Sequence, residues 1–159
     1  NSNVSFKGFS FSIFFQGVSG VKVFNSNDFM IANSVTRLSN QLRDVNNRWT
    51  PTNKNPNAPY PRASTKQMLV SDRFVQDADY LRLRNVSLSY DIPASKAKVK
   101  WLEAAKVYIS GQNLLTFTQY KGYDPEVSQT GTNSLIKGLD RGSYPANKAV
   151  TLGFNLTIN

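Results

Sequence analysis

The sequence predicts an all-β protein, built from about five strands of a transmembrane β-barrel with long extracellular loops. Five segments alternate apolar with polar residues, and most have about ten residues, the length with which a tilted strand crosses a bilayer. Short and very long connections join these segments, and their polar positions carry Ser, Thr, Asn and Gln rather than Lys and Glu. A soluble β-sandwich also alternates, and the pattern alone leaves it open as the alternative.

The last segment, AVTLGFNLTIN, has the most regular alternation. Strict period-two alternation gives a strand two different faces. Its polar positions include Thr151, Asn155 and Thr157, which we expect to face the barrel lumen or a plug. No charge interrupts the apolar positions, and we expect these to face lipid: Val150, Leu152, Phe154, Leu156 and Ile158.

The four earlier segments follow the same rule. NVSF and FSFSIFFQG are separated by Lys7 and Gly8, which predicts a tight hairpin. DYLRLRNVSLSYDIP ends at a proline, and AKVYISGQNLLTFT follows it after a connection of moderate length. On these last two strands the residues that we expect to face lipid are Val86, Leu88, Val107 and Ile109.

Two arginines interrupt the third segment. Arg82 and Arg84 share the odd–even parity of Val86 and Leu88, and a charged side chain that faces hydrocarbon is costly. Either the strand leaves its apolar surroundings here, or a bulge shifts its faces. We expect the strand to rise above the hydrocarbon layer near Asn85, with both guanidinium groups in the headgroup or extracellular zone.

Residues 20–77 and 119–147 are predicted to be extracellular loops, because irregular backbone at membrane depth lacks hydrogen-bond partners. The first loop is predicted to contain a short helix capped by Ser26 or Asn27. A stretch with prolines at positions 51, 56, 59 and 61 follows, which no regular element tolerates. The helix is indicated by apolar residues at helical spacing: Ile31, Val35, Leu38, Leu42 and Val45.

The composition excludes several classes of function. The chain has no cysteine and no histidine, which removes disulfides, thiolate metal sites and the commonest general base. The acids are scattered without the pairing of a glycosidase dyad, and turn chemistry is the preferred interpretation of Asp91, Asp124, Glu126 and Asp140. We therefore predict no enzyme activity, no catalytic residues, no metal and no cofactor.

The net charge of +9 does not indicate a nucleic-acid partner. Its densest run, Lys96, Lys98 and Lys100, lacks interleaved aromatic residues and a basic stripe on one element. A solvated turn on the periplasmic side is the preferred interpretation. No stretch approaches the roughly 20 apolar residues of a spanning helix, and the chain begins within an alternating pattern, so we interpret it as the C-terminal part of something larger.

Several blocks of the sequence resemble one protein family. RWTPTNKNPNAPYPRAS, DYLRLRNVSLSYDIP, VYISGQNLLTFTQYKGYDPEV, DRGSYP and TLGFNLTI are similar, in this order, to the C-terminal end of SusC/RagA-family TonB-linked outer-membrane proteins. SFKGFSFSIFFQG resembles the strand pair that precedes them in that family. The resemblance covers essentially the whole chain.

The resemblance implies the last strands of a large plugged barrel with about 22 strands. It also implies the outer membrane of a Gram-negative bacterium, surrounding lipid, and uptake of oligosaccharides or peptides. The partners that it implies are a SusD-like surface lipoprotein, TonB acting through a plug absent from this chain, and the rest of the same polypeptide. Five strands cannot close a barrel, so the segment is expected to act only within a longer protein.

The loop residues that are candidates for ligand or partner contact are Trp49, Tyr60, Arg62, Tyr123 and Tyr144. Exposed aromatic rings stack on sugars or anchor proteins, although long loops also pack such rings on themselves. Because stiff segments lose little entropy on docking, we expect residues 46–64 to contact the lipoprotein or neighbouring loops. Two alternatives remain at this point: a secreted or surface β-rich module for glycan binding or adhesion, and a siderophore-type TonB-dependent receptor.

Overall fold

The computed structural model describes residues 1–32, 40–64, 69–93, 101–127 and 138–158. The strands, in chain order, are β1 (Ser2–Phe6), β2 (Phe9–Val18), β3 (Lys22–Asn25), β4 (Val75–Asp77), β5 (Tyr80–Ile92), β6 (Leu102–Thr118), β7 (Leu139–Asp140) and β8 (Ala149–Ile158). The chain divides into two compact units. The strand unit comprises Asn1–Gly20, Asp79–Gln119 and Pro145–Asn159, and the loop unit comprises Val21–Ala78 and Tyr120–Tyr144.

The strand unit is one antiparallel sheet of five strands in the order β1-β2-β5-β6-β8. Each strand coincides with one of the five alternating segments, so the predicted all-β class and the predicted strands are confirmed. Strands that are neighbours in the sheet are also neighbours in chain order within this unit, which is the up-and-down order of a barrel wall.

The predicted hairpin joins β1 to β2. Lys7 and Gly8 have φ angles of 46° and 87°, and two consecutive positive φ values are typical of the type I′ turn that matches strand twist. Gly8 is also required by space, because a Cβ there would lie 3.1 Å from the carbonyl oxygen of Asp91. The Asp91 amide donates a 2.8 Å hydrogen bond to the Gly8 carbonyl, which ties the turn to β5.

The loop unit contains a second, three-stranded sheet in the order β4-β3-β7. Strand β3 pairs antiparallel with β4 and parallel with β7, where Phe24 lies opposite Leu139. Because β3 belongs to the first long connection and β7 to the second, this pairing joins the two connections into one folded unit. The sequence pattern did not predict this sheet.

The helix prediction for the first connection is only partly right. Helix α1 covers Ser26–Ala32 and includes Ile31, whereas Leu42 is extended and Val45 lies in a separate 3-10 helix, Arg43–Asn47. Val35 and Leu38 lie outside the described residues, as do Lys96, Lys98 and Lys100. The predicted cap was wrong: the Asn25 side chain, through its Oδ1, accepts a 3.0 Å hydrogen bond from the Asp28 amide, as an N-cap does.

The core of the loop unit draws on both connections. Val23 and Ala78 come from the first connection and Tyr120 and Val127 from the second, and Val21 packs against them. A second cluster is aromatic, because the rings of Phe24, Phe29 and Phe74 contact one another edge-on or tilted, with centroids 5.2–6.2 Å apart. Among the described residues, no helix has the length and apolar character needed to cross a membrane.

Candidate functional site

The five-stranded sheet has one apolar and one polar face, and its register assigns residues to each. Leu88 pairs with Ile109, which pairs with Leu152, so these three side chains share a face, and Val107 and Phe154 extend it one pair further. Leu152 is 76% exposed in this structure. The nine residues predicted to face lipid all lie on this face: Val86, Leu88, Val107, Ile109, Val150, Leu152, Phe154, Leu156 and Ile158.

The opposite face is polar where the prediction placed the lumen. Ser12 pairs with Ser87, Ser87 with Ser110, and Ser110 with Thr151. Asn155 lies on the same face beside Lys106, whose Nζ lies 3.3 Å from Oδ1 of Asp91. A large antiparallel sheet therefore presents hydroxyls and amides on one side and aliphatic and aromatic side chains on the other.

A bulge at Arg84 corrects the assignment of the two arginines. Phe14 pairs with Asn85 and Phe15 with Leu83, so β5 has one extra residue relative to β2. An extra residue reverses the parity of a strand, and Arg82 consequently pairs with Gln16 and Thr116 on the polar face. The two arginines do not share the face of Val86 and Leu88. The depth of this region in a membrane stays a prediction.

Hydrogen bonds hold both arginines within the polar side of the strand unit. Arg82 is only 2% exposed, and its Nε donates a hydrogen bond to Oγ1 of Thr116 at 3.0 Å. Arg84 donates to the side-chain oxygens of Gln16 at 2.7 Å and Asn113 at 3.2 Å. A guanidinium group has five N–H donors in a fixed fork, which allows one side chain to tie β5 to both of its neighbours.

The loop unit contains a pocket of about 400 Å³. Two of the predicted contact residues, Tyr60 and Tyr123, line it together, although they are far apart in sequence. Asp28 and Asp44 also line it, and within the described part of the chain neither carboxylate forms an ion pair. The remaining lining residues are Asn25, Asn27, Ile31, Leu42, Gln76, Lys121 and Gly122.

Tyr60 is held in place on several sides. The Arg73 guanidinium lies over its ring, 4.7 Å from the centroid, and donates a hydrogen bond to the Pro59 carbonyl. Burial raises the pKa of the Tyr60 phenol, and the nearby Asp28 carboxylate raises it further. The phenol therefore stays protonated at neutral pH and keeps both a donor and an acceptor for hydrogen bonding.

The other predicted contact residues lie elsewhere in the loop unit. Trp49 is half-buried and donates its amide to the Tyr60 carbonyl at 2.9 Å, which closes the proline-rich segment into a loop. Arg62 is exposed, and Tyr144 is 99% exposed. None of these three lines the pocket.

The proline-rich segment is ordered by its own hydrogen bonds. The backbones of Thr50 and Asn53 bond each other reciprocally at 3.1 Å, and Oγ1 of Thr50 accepts from the Asn53 amide at 2.9 Å. Oδ1 of Asn55 accepts from the Asn57 amide at 2.9 Å. These local side-chain bonds are typical of turns, so the segment between Trp49 and Tyr60 is a compact loop rather than an open chain.

The sequence predicted Tyr60 and Tyr123 as contact residues, and this role stays a prediction, but it gave no signal for the polar residues that line the pocket with them. Asp28 and Gln76 belong to no sequence motif, and only the folding of the two connections brings them to one pocket.

Asp124 is in a turn as expected, since its Oδ1 accepts a hydrogen bond from the Glu126 amide at 2.9 Å. Asp140 also accepts a turn hydrogen bond, from the Gly142 amide, but its bond to Tyr120 was not foreseen.

An antiparallel sheet with one exposed apolar face and one polar face, whose strands are linked by long folded connections, has the architecture of a transmembrane β-barrel wall. The chain matches no protein-family model. It is 36% identical over 98% of its length to TonB-dependent receptor P3 of Formosa agariphila, and 32% identical over 55% of its length to TonB-dependent receptor SusC of Bacteroides thetaiotaomicron. These matches span 16% and 8% of the two relatives.

Solved structures agree with these sequence matches. The RagAB peptide transporter superposes on 96% of the chain with a TM-score of 0.80 and 28% identity, over 16% of the matched transporter chain. The same assembly in its open-open state gives a TM-score of 0.81. The chain therefore belongs to the SusC/RagA-type TonB-dependent receptors, and it spans about a sixth of the length of the first of these relatives. These relatives are named as receptors and transporters, and none is named as an enzyme.

Proposed function

We propose that the chain is a barrel-wall segment of a receptor that imports nutrients across the outer membrane with energy from TonB. The observation that carries the proposal is the continuous apolar face of the sheet, which ends in exposed Leu152 and Phe154. Such a face is stable in hydrocarbon and unfavourable in water. The SusC and RagAB matches support a SusC-like importer over a siderophore-type receptor or a secreted glycan-binding module. The C-terminal placement within the receptor belongs to the same proposal.

The test of this function is fractionation followed by uptake. The full-length receptor is expected in the outer-membrane fraction, extracted only by detergent, with the heat-dependent electrophoretic mobility of a folded barrel. Uptake by cells that carry it should stop when TonB is deleted. Recovery of the folded receptor in a soluble fraction, or uptake that survives loss of TonB, would contradict the proposal.

We further propose that the pocket of the loop unit contacts the imported ligand at the extracellular mouth. Its lining combines two aromatic rings with amide and carboxylate groups, and this combination suits ligands that present both apolar faces and many hydrogen-bonding groups. Oligosaccharides and peptides both have this character. RagAB is described as a peptide transporter, which makes peptides the first ligands to test.

Tyr123 gives the cleanest test of the pocket. It is exposed, so Tyr123→Ala removes a ring from the lining without uncovering the core. We expect slower uptake of either a peptide digest or a defined oligosaccharide mixture, whichever the wild-type receptor imports. Tyr144→Ala is the matched control, because Tyr144 is exposed in the same unit but does not line the pocket. Equal effects of the two variants would remove the pocket from the proposal.

The proposed partner is a SusD-like lipoprotein, contacted through residues 46–64. The support is the self-bonded compact loop between Trp49 and Tyr60, whose conformation costs little to immobilise. Deletion of residues 50–62 should reduce the amount of lipoprotein that co-purifies with the receptor. Replacement of the same residues by Gly and Ser at equal length is the second variant, since it keeps the span but removes the stiffness. Undiminished co-purification with an assembled barrel in both variants would exclude this contact.

A further inference from the structure

The pocket of the loop unit has an uneven distribution of charge. Among the described residues, the ionic side chains that line it are Asp28, Asp44 and Lys121, so negative charge is in excess. Asp28 is half-buried, and Asp44 is exposed. Within the described ranges neither carboxylate forms an ion pair, and neither does the Lys121 ammonium. The pocket therefore presents negative charge that no ion pair within the described chain neutralises.

The two carboxylates act on the same group, the phenol of Tyr60. Burial is the largest cause that raises the pKa of this phenol, and Asp28 and Asp44 both raise it further, whereas Arg73 lowers it. A charge shifts a pKa most when it lies close to the titrating group. Asp28 belongs to helix α1 and Asp44 to a 3-10 helix further along the chain. Folding of the first connection thus brings both negative charges to one ring.

The nearest cation to this ring, Arg73, does not occupy the pocket. Its guanidinium lies over the Tyr60 ring and donates a hydrogen bond to the Pro59 carbonyl, and Arg73 is not one of the lining residues. A guanidinium on an aromatic face is a favourable arrangement in itself, which keeps Arg73 where it is. Within the described chain, a positive partner for Asp28 and Asp44 is therefore left to a ligand.

Tyr123 supplies a second feature that suits a cation. Its ring is 75% exposed, and no cation of the described residues lies over it. The quadrupole of an aromatic ring attracts a ligand cation placed above its face. A neutral ligand would gain only the ring contact, and an anionic ligand would be repelled by two carboxylates against one attracting ammonium, that of Lys121.

We propose that this pocket binds an ammonium group of the ligand, with Asp28 and Asp44 as its counter-charges and Tyr123 as the aromatic contact. A lysine side chain of a peptide and an amino sugar both carry this group. The inference rests on the proposed function, because it names the chemical class of the ligand that the same pocket is proposed to contact.

The experiment measures binding to the full-length receptor in detergent by isothermal titration calorimetry. The first probes are capped Gly/Ser octapeptides that differ only at one central residue, which is Lys, norleucine or Glu. Norleucine keeps the straight side chain of lysine without its charge. The second probes are the tetramers of glucosamine and of N-acetylglucosamine. We expect the cationic member of a panel to bind about fivefold more tightly than its neutral counterpart at low salt, and the preference to shrink as salt is added.

The variants Asp28→Asn and Asp44→Asn remove one charge each and keep the shape of the side chain. Each should reduce the preference for the cationic probe, and the double variant should abolish it. Asp44 is exposed, so its substitution leaves the core of the unit intact. Asp72→Asn is the matched control, because Asp72 is an exposed acid of the same unit that does not line the pocket. The preference should persist in this control.

The outcomes are distinguishable. A preference in only one panel would support the proposal and identify the source of the ammonium group. Equal binding of cationic and neutral probes, tighter binding of the Glu peptide, or a preference that survives the double variant would overturn the ammonium site. The pocket would still contact the ligand in those cases if Tyr123→Ala slowed uptake. Absence of binding by every probe, together with normal uptake by Tyr123→Ala, would overturn both the ammonium site and the proposed role of the pocket.

Discussion

The phenol of Tyr120 donates a 2.6 Å hydrogen bond to Oδ2 of Asp140, whose side chain is 0% exposed. Tyr120 lies two residues after the end of β6, and Asp140 ends β7, so the bond spans the second connection within the loop unit. The other carboxylate oxygen, Oδ1, accepts the Gly142 amide at 2.8 Å. A buried carboxylate is stable only when donors surround it, and Tyr120 supplies one of them.

Tyr120→Phe is expected to destabilise the loop unit. The substitution keeps the ring but leaves a buried carboxylate oxygen without its donor, which costs about 1–3 kcal/mol. Limited proteolysis of the full-length receptor in detergent should cleave residues 120–144 faster in this variant. Tyr144→Phe, at an exposed ring, serves as the control. Equal cleavage rates in the two variants would show that the bond to Asp140 does not stabilise the unit.

The same pair predicts a pH dependence. Burial raises the pKa of the Tyr120 phenol above its ordinary value of 10.0, and the hydrogen bond and charge of Asp140 raise it further. A raised pKa means that the folded state holds this proton more tightly than the unfolded state. The stabilisation is therefore complete below pH 10 and is lost as the pH rises through the folded pKa.

Phenolate absorbance measures this effect. The wild type and Tyr120→Phe should titrate alike through the ordinary tyrosine range, because Tyr120 is still protonated there. One additional phenolate should appear in the wild type only at higher pH or on unfolding. If the wild type already showed more phenolate absorbance than Tyr120→Phe near pH 10, the pKa of the Tyr120 phenol would not be raised in the folded protein.

The apolar face predicts different outcomes for adjacent residues of β8. Leu152→Arg places a charge on the face that we expect to meet lipid, at a cost of roughly 2–4 kcal/mol near the bilayer midplane. Thr151→Arg places it on the opposite face, beside Ser110. We expect poor assembly of Leu152→Arg and normal assembly of Thr151→Arg, measured as heat-dependent electrophoretic mobility in outer-membrane fractions. Normal assembly of Leu152→Arg together with poor assembly of Thr151→Arg would show that the lipid and lumen faces of β8 are assigned the wrong way round.

The bulge in β5 predicts different outcomes for deletion of two adjacent residues. Deletion of Arg84 removes the extra residue, so Leu83 still lies opposite Phe15 on the apolar face and Arg82 stays on the polar face. Deletion of Leu83 shortens the strand equally but places Arg84 opposite Phe15 on the apolar face. We therefore expect the Arg84 deletion to assemble and the Leu83 deletion to fail, measured as heat-dependent electrophoretic mobility in outer-membrane fractions. Failure of the Arg84 deletion together with assembly of the Leu83 deletion would show that Arg84 is not the extra residue.

The N-cap of α1 predicts a contrast between neighbouring residues. Asn25→Ala removes the acceptor for the Asp28 amide, and loss of such a cap costs about 1 kcal/mol. Ser26→Ala lies inside the helix and should have little effect. Hydrogen exchange of the α1 amides in the full-length receptor, followed by mass spectrometry, should become faster only in Asn25→Ala. Faster exchange in both variants would mean that Asn25 is not the cap that matters.

The sequence predicted the five long strands because their signal is local. Each of them carries its own alternation, from Val4 and Phe6 in β1 to Leu156 and Ile158 in β8. The sequence could not decide whether β5 contains a bulge. Two arginines at positions that should be apolar have two physical explanations, a shifted register or a strand that leaves the membrane. Pairing with Gln16 and Thr116, far away in the chain, decides between them.

The loop unit was less predictable because its structure is made by contacts between distant residues. Strands β3 and β7 have four and two residues, too few to show a period. The pocket joins Tyr60 to Tyr123, and the buried bond joins Tyr120 to Asp140, with no motif at either position. The aromatic residues could be selected by type, but their acidic and amide neighbours could not.

The pairing of Phe24 with Leu139 has a consequence for protein engineering. Exchange of a single loop between related receptors assumes that each surface loop folds independently of the others. Here a graft of only one connection would separate β3 from β7 and leave half of the shared core without its counterpart. The two connections therefore form a single structural module. A chimaera that exchanges both connections together should fold, whereas a chimaera that exchanges only one of them should not.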